Sequence, residues 1–217
     1  MIFVFAMIAL AYTCRMLDMY YIGNGYPGDV RAALYIVLLA LWGYSIDRRI
    51  IQKPVLHCLC LTDALMLLWL ILRTLKYEVI TDLTVARYLW YLYYLPMLFI
   101  PLLGVYIAMS LGKSEEYRLS GKTQLLTIIP ALLFLCVITN DLHQKVFTFK
   151  SGIPGNPGNG PYYHNVVYFF CLAWMVGCMI FTVVHIFKNS RVSNVGKRRV
   201  MPFVFCCATI LYGVLYL

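Results

Sequence analysis

The chain of 217 residues and 25.0 kDa is 62% hydrophobic and 12% charged, with a mean hydropathy of +0.78. Soluble domains run to about 45–50% apolar and about 25% charged residues. The net charge of +9 comes from 18 Lys and Arg against 9 Asp and Glu, and those cations lie between apolar runs without the interleaved aromatics of a nucleic-acid platform. Composition therefore excludes a soluble catalytic domain and a nucleic-acid partner, and implies an all-α, polytopic bundle in the lipid bilayer.

Seven stretches are free or nearly free of charge: Met1–Cys14, Ala32–Ile46, Pro54–Leu72, Tyr88–Leu111, Thr123–Thr139, Tyr162–Phe187 and Val200–Leu217. At roughly 20 residues per crossing they amount to about six to seven spanning helices. Backbone groups must be satisfied within each segment in lipid, and strand-like alternation is absent, so helices are expected rather than a barrel. Met1–Cys14 is short and lacks the basic flank and cleavage pattern of a signal peptide. Residues 1–31 are thus an extra N-terminal hydrophobic segment with an outer loop, and residues 32–217 are the multi-helix region. Ala32–Ile46 is also short, and Arg31, Arg48 and Arg49 extend it by snorkelling. Pro96, Pro101, Pro130 and Pro202 fall inside spans, where they kink helices and free carbonyls. The loop Asp141–Pro161 carries a Gly- and Pro-rich run over residues 151–160 and is expected to form no core of its own.

Alternate loops hold 11 and 7 Lys and Arg, with the cluster Lys197–Arg199 in the richer set. The positive-inside rule makes that set cytoplasmic and leaves Leu217 on the outer side. The chain is then expected to be a multi-pass protein of the plasma membrane.

Asp63 lies near the middle of Pro54–Leu72, where a charged carboxylate costs roughly 2.5–3.5 kcal/mol on insertion scales. With Thr62 it is a candidate intramembrane polar switch; a plain hydrogen bond to a neighbouring helix is the alternative. The run His57-Cys58-x-Cys60 lacks third and fourth ligands of matching spacing, so no metal and no cofactor is expected. All eight cysteines sit within or at the end of apolar runs, where they pack as small hydrophobes. At the exit of the fifth run, Thr139-Asn140-Asp141-Leu142-His143 gathers polar groups that form either a ligand site at the bundle mouth or a helix cap. Tyr88, Trp90, Tyr91, Tyr93 and Tyr94 surround the same end as an interfacial belt or a cavity lining. His164 and Asn165 begin the next span on that side. Metalloprotease, hydrolase-elbow, Walker and dinucleotide motifs are absent from the sequence, so an enzyme is not expected.

The stretch Tyr91–Pro101 (YLYYLPMLFIP), with Leu111-Gly-Lys113, Ile129-Pro130 and Thr139-Asn-Asp-Leu-His143, resembles the N-terminal seven-helix sensor region of bacterial membrane histidine kinases. The resemblance covers roughly Ala32–Leu217. It implies signal transduction in a two-component system, with an unknown small-molecule ligand bound outside and a cytoplasmic kinase or other output module as partner. A homodimer is among the assemblies it allows. Against that pattern the last helix and the kinase core are expected to be missing after Leu217. On this reading the candidate ligand site at the outer mouth is Tyr93, Tyr94, Asn140, Asp141 and His143, with Asp63 as a buried contact expected to differ between two helix arrangements. The competing reading is a small transporter or channel that uses Asp63 as a proton or cation site.

Overall fold

The computed structural model describes residues 26–49, 52–111, 113, 117–149 and 162–189. The expectations for Met1–Cys14, the Gly-rich run, Lys197–Arg199, Pro202 and Val200–Leu217 lie outside the described residues. The protein is a helical bundle, and four helices among the described residues are long and apolar enough to cross a membrane: Lys53–Tyr77, Leu83–Ser110, Gly121–Ile138 and Val166–Lys188.

Helix α1 runs Tyr26–Arg49. It is longer than the apolar stretch Ala32–Ile46 because charged residues mark where hydrocarbon ends, not where a helix must stop; Pro27 suits its first turn. Helix α2, Lys53–Thr74, begins with Pro54 in its first turn and passes into a π-helical turn at Leu75–Val79, closed by Ile80 N–H donating to Leu75 O at 2.9 Å.

The fourth apolar stretch begins earlier than its charge-free portion. Helix α3, Leu83–Leu92, starts at Asp82, whose Oδ1 accepts from the Thr84 and Val85 amides at 2.7 and 3.1 Å. The helix breaks at Tyr93 and resumes as α4, Tyr94–Ser110. Pro96 dictates that position, since its ring opposes the carbonyl four residues back, that of Leu92. Pro101 lies inside α4, and nearby the Trp174 indole donates to Leu98 O at 3.1 Å.

The fifth stretch is also divided, into α5 (Gly121–Gln124), a 3₁₀ turn at Leu125–Thr127, and α6 (Ile128–Ile138). Pro130 again lies a turn beyond the irregular stretch, as expected of a residue with no amide to donate. A final turn, α7 (Asn140–His143), leads into strand β1 (Phe147–Phe149). Strand β2 (Tyr162–His164) pairs with β1 antiparallel, with Phe147 opposite His164 and Phe149 opposite Tyr162, and runs into α8 (Val166–Asn189). The ribbon joins the core of the bundle, for Val146 and Phe147 are both wholly buried against residues of α3, α4, α6 and α8.

Helix α4 is the centre of the bundle, packed by α2 on one side and α8 on the other, with α6 also against it. Half of the apolar window of Leu83–Ser110 is buried, against 28%, 11% and 17% for the other three spans. Leu98, Leu102 and Ala108 are at most 1% exposed, whereas Ile128, Leu132 and Leu135 on α6 and Phe169, Phe170 and Ile180 on α8 face outward, as lipid-facing residues do. Lipid is as apolar as leucine, so close contact rather than water exclusion holds such helices together. Gly43 supplies one such contact: a Cβ there would strike Oδ2 of Asp63 on α2. At the end remote from the ribbon, Gln52 Nε2 donates to Ser110 O at 3.0 Å, and the Tyr106 hydroxyl donates to Thr123 O at 3.1 Å.

Candidate functional site

The polar and aromatic residues of the ribbon end form one connected node. Asn140 follows α6 directly, so its side chain turns into the bundle and is 0% exposed. Its Oδ1 accepts from the Val146 and Phe147 amides, both at 3.0 Å. Its Nδ2 donates to Phe147 O at 3.0 Å and to the Tyr91 hydroxyl oxygen at 3.2 Å. The amide of Asn140 therefore pairs with Phe147 much as a neighbouring strand would, closing the edge of β1. The Tyr91 hydroxyl in turn donates to Asp141 Oδ1 at 2.7 Å, and Arg87 Nη2 lies 2.9 Å from Asp141 Oδ2. Arg87 and Tyr91 are one helical turn apart on α3, so a single face of that helix reads both groups of the Asn140-Asp141 pair.

Phe147 fills the centre of the aromatic layer. Its ring lies 4.6 Å from Trp90, 5.7 Å from Tyr94 and 5.8 Å from Tyr162, and is stacked on Tyr91 at 6.5 Å. Aromatic pairs of this kind are worth about 0.5–1.5 kcal/mol each beyond the area they bury. His164 faces the Tyr168 ring at 4.0 Å, and burial lowers its pKa. Burial also raises the pKa of Tyr162, with the Tyr168 and Tyr77 hydroxyls adding to the effect.

The turn between α7 and β1 is held from both sides. Gln144 adopts φ 49°, the left-handed region, and its amide donates to Asn140 O at 2.7 Å. Asn165 Nδ2 donates to Gln144 O and to Thr148 Oγ1, each at 2.6 Å. Asn165 and His164 thus join the ribbon end, Asn165 as a clamp of the turn and His164 through its ring contacts with Phe147, Tyr162 and Tyr168.

The five nominated ligand residues do not converge. Asn140 and Asp141 are the heart of the node. Tyr94 is packed into the aromatic layer. Tyr93 sits at the break between α3 and α4 and faces α2, its ring 6.3 Å from Trp69. His143 spends its ring on the backbone, with Nε2 3.1 Å from Cys136 O and Nδ1 accepting from the Lys145 amide at 2.9 Å. Arg87, Val146 and Phe147 were missed by sequence reasoning. The alternation Val146-Phe-Thr-Phe149 ahead of a Gly- and Pro-rich loop and Tyr162-Tyr-His164 is a hairpin signal that could have found Val146 and Phe147, though not Arg87.

Within the bundle, Asp63 is 8% exposed, and its Oδ1 has no hydrogen-bond partner among the described residues. Thr62 does not assist it: the Thr62 hydroxyl donates to Cys58 O in its own helix at 2.8 Å. Among the described residues no three His, Cys, Asp or Glu side chains gather as metal ligands would.

The described residues thus form a helical bundle with four helices long and apolar enough to cross a membrane, tied at one end by a buried polar network and an aromatic layer. The chain belongs to the family described as the N-terminal 7TM region of histidine kinase, whose family model matches residues 30–217. That region is the sensor part of those kinases and carries no catalysis. No curated protein and no solved structure matches the chain.

Proposed function

We propose that this region senses a small ligand from the outer side of the plasma membrane, with the ribbon end outward, and passes the signal through its several spans to a histidine-kinase output module. The observation that carries the reading is the node itself. Asn140 and Asp141 tie α7 to α3 through Tyr91 and Arg87, and to the ribbon through Phe147. Asn165 ties the same turn to the start of α8. A ligand that competes for Tyr91, Asp141 or Arg87 would loosen α3 from α6 and α8 together. It acts only in so far as it binds the loosened arrangement better than the tied one, and a switch from 1:99 to 99:1 needs about 10⁴-fold preference. Asp63, buried against Gly43, is the contact between α1 and α2 that such a movement would alter.

The test is autophosphorylation of a histidine-kinase output module reconstituted together with this chain in inside-out vesicles, comparing wild type with Arg87→Ala and Asp141→Asn. Both variants release the same tie, so both are expected to shift the basal labelling in one direction, by about tenfold for the loss of one charge-assisted contact. The transport reading rests on Oδ1 of Asp63, partnerless among the described residues. It predicts proton or cation flux in liposomes that disappears in Asp63→Asn. Such flux, with labelling indifferent to Arg87 and Asp141, would overturn the sensor reading.

A further inference from the structure

A second polar feature at the ribbon end is separate from the node. Lys76 lies in the π-helical turn Leu75–Val79 and is only 4% exposed. Turns of this type displace side chains from regular helical positions and are frequent at functional sites. The Lys76 ammonium has one hydrogen-bond partner, the Tyr77 hydroxyl at 3.4 Å, and lies 4.6 Å from the centre of the Tyr77 ring and 6.0 Å from that of Tyr93. Three donors are available to a lysine, so most of its capacity is unspent. Arg73, one turn earlier, places its guanidinium 5.9 Å from the centre of the same Tyr77 ring.

The described carboxylates at this end are committed elsewhere: Asp82 accepts two backbone amides, and Asp141 pairs with Arg87. A buried cation ordinarily needs an opposite charge. Two cations converge on one tyrosine at the mouth of a span, and neither has a carboxylate partner among the described residues. Tyr77 itself is 55% exposed, free on its outer side to turn about its staggered rotamers and uncover the ammonium.

We infer that Arg73, Lys76 and Tyr77 form a binding site for a single phosphate group at the ribbon end of α2. The two cations supply charge-assisted hydrogen bonds and the Tyr77 hydroxyl a third donor, while the ring of Tyr93 closes the inner side. The phosphate can belong to a lipid headgroup, since the end of a span is where headgroups lie, or to a free ligand arriving from water. The site does not depend on the sensor role, for an anion site here would serve a transporter equally.

The experiment uses the full chain in dodecyl maltoside, which carries no phosphate. In one arm inorganic phosphate is titrated by calorimetry, with sodium chloride at equal ionic strength as reference. In the other, phosphatidylglycerol or a neutral diacylglycerol of the same chains is added, and bound lipid is counted by native mass spectrometry. Phosphate-dependent binding is expected in at least one arm, which identifies the source. Lys76→Met and Arg73→Gln should each weaken it about tenfold, the loss of one charge-assisted contact, while Glu78→Gln, which leaves both cations, retains it. Tryptophan emission reports whether each variant is folded, and Arg73→Gln, at a half-exposed position, stands in if Lys76→Met is not. No phosphate dependence in either arm, or binding unchanged in a folded Lys76→Met or Arg73→Gln, would overturn the site.

Discussion

Asn140→Ala is the sharpest test of how the ribbon end is held. The substitution leaves the Val146 amide, the Phe147 amide and the Phe147 carbonyl without the partner each now has at 3.0 Å. Both residues are 0% exposed, so water cannot replace the lost bonds unless the ribbon lifts. An orphaned buried group costs about 1–3 kcal/mol, so a loss of about 3–5 kcal/mol in ribbon docking follows once relaxation is allowed for. If these bonds were worth only the roughly 0.6 kcal/mol averaged by side-chain hydrogen bonds between membrane helices, three of them would total about 1.8 kcal/mol. The larger figure applies because undocking here sends backbone groups to the rim and not to another helix. In exchange terms, 3–5 kcal/mol is about two to three and a half orders of magnitude in the opening equilibrium. Hydrogen exchange read by mass spectrometry on peptides covering residues 146–149 and 162–164 measures it. Tyr91→Phe, which keeps the Asn140 bonds to the ribbon, should lower protection by only about tenfold. Protection in Asn140→Ala within about threefold of wild type would refute the claim that this side chain holds β1 in place.

Gly43→Ala places a methyl against Oδ2 of Asp63 and should weaken the α1–α2 contact by about 1–3 kcal/mol, as overpacking does. Thermal unfolding in detergent would show it, and Asp63→Ala in the same chain should restore most of the loss. Gln144→Gly relieves a non-glycine residue at φ 49° and should stabilise the turn by about 0.5–1 kcal/mol, read by the same melting experiment. Partial desolvation lowers the His164 pKa although the residue stays exposed, so the docked ribbon binds a proton less readily than the undocked one. Docking is then fullest above the ordinary histidine value of about 6.5 and weakens as the pH falls through it toward the depressed value. Exchange at residues 162–164 should accelerate between neutral and mildly acidic pH beyond its intrinsic dependence, and His164→Phe should abolish that excess.

The spans were legible from the sequence because charge-free length is a direct measure of what a bilayer accepts. Their interruptions were partly legible. Pro96 and Pro130 announce irregularity, but the break falls on the preceding residues, at Tyr93 and Leu125–Thr127, where the missing amide is felt. Asn140 and Asp141 were found by their type and place. Tyr93 was chosen with Tyr94 because adjacent tyrosines look equivalent, yet the break between α3 and α4 turns Tyr93 toward Trp69 and Tyr94 toward Phe147. Arg87 was counted among charges that set orientation, and nothing local to it signals that Asp141, fifty-four residues on, would meet it. The polar partners of a membrane helix are decided by which helices lie side by side, and that information is not local.

The division of labour between the two parts of the bundle follows from its solvent. Between spans the lipid competes on equal terms with every leucine, so close approaches such as Gly43 against Asp63 and directional bonds such as Trp174 to Leu98 set the arrangement only loosely. At the ribbon end water returns, and with it the driving force for burying aromatic surface. Phe147 under Trp90, Tyr94 and Tyr162 exploits that force, and the Asn140 amide converts it into a fixed position by satisfying the backbone the ring drags inward. The ribbon end therefore combines a buried aromatic layer with side-chain bonds that satisfy its backbone, while the remote end is tied by Gln52 to Ser110 and by Tyr106 to Thr123.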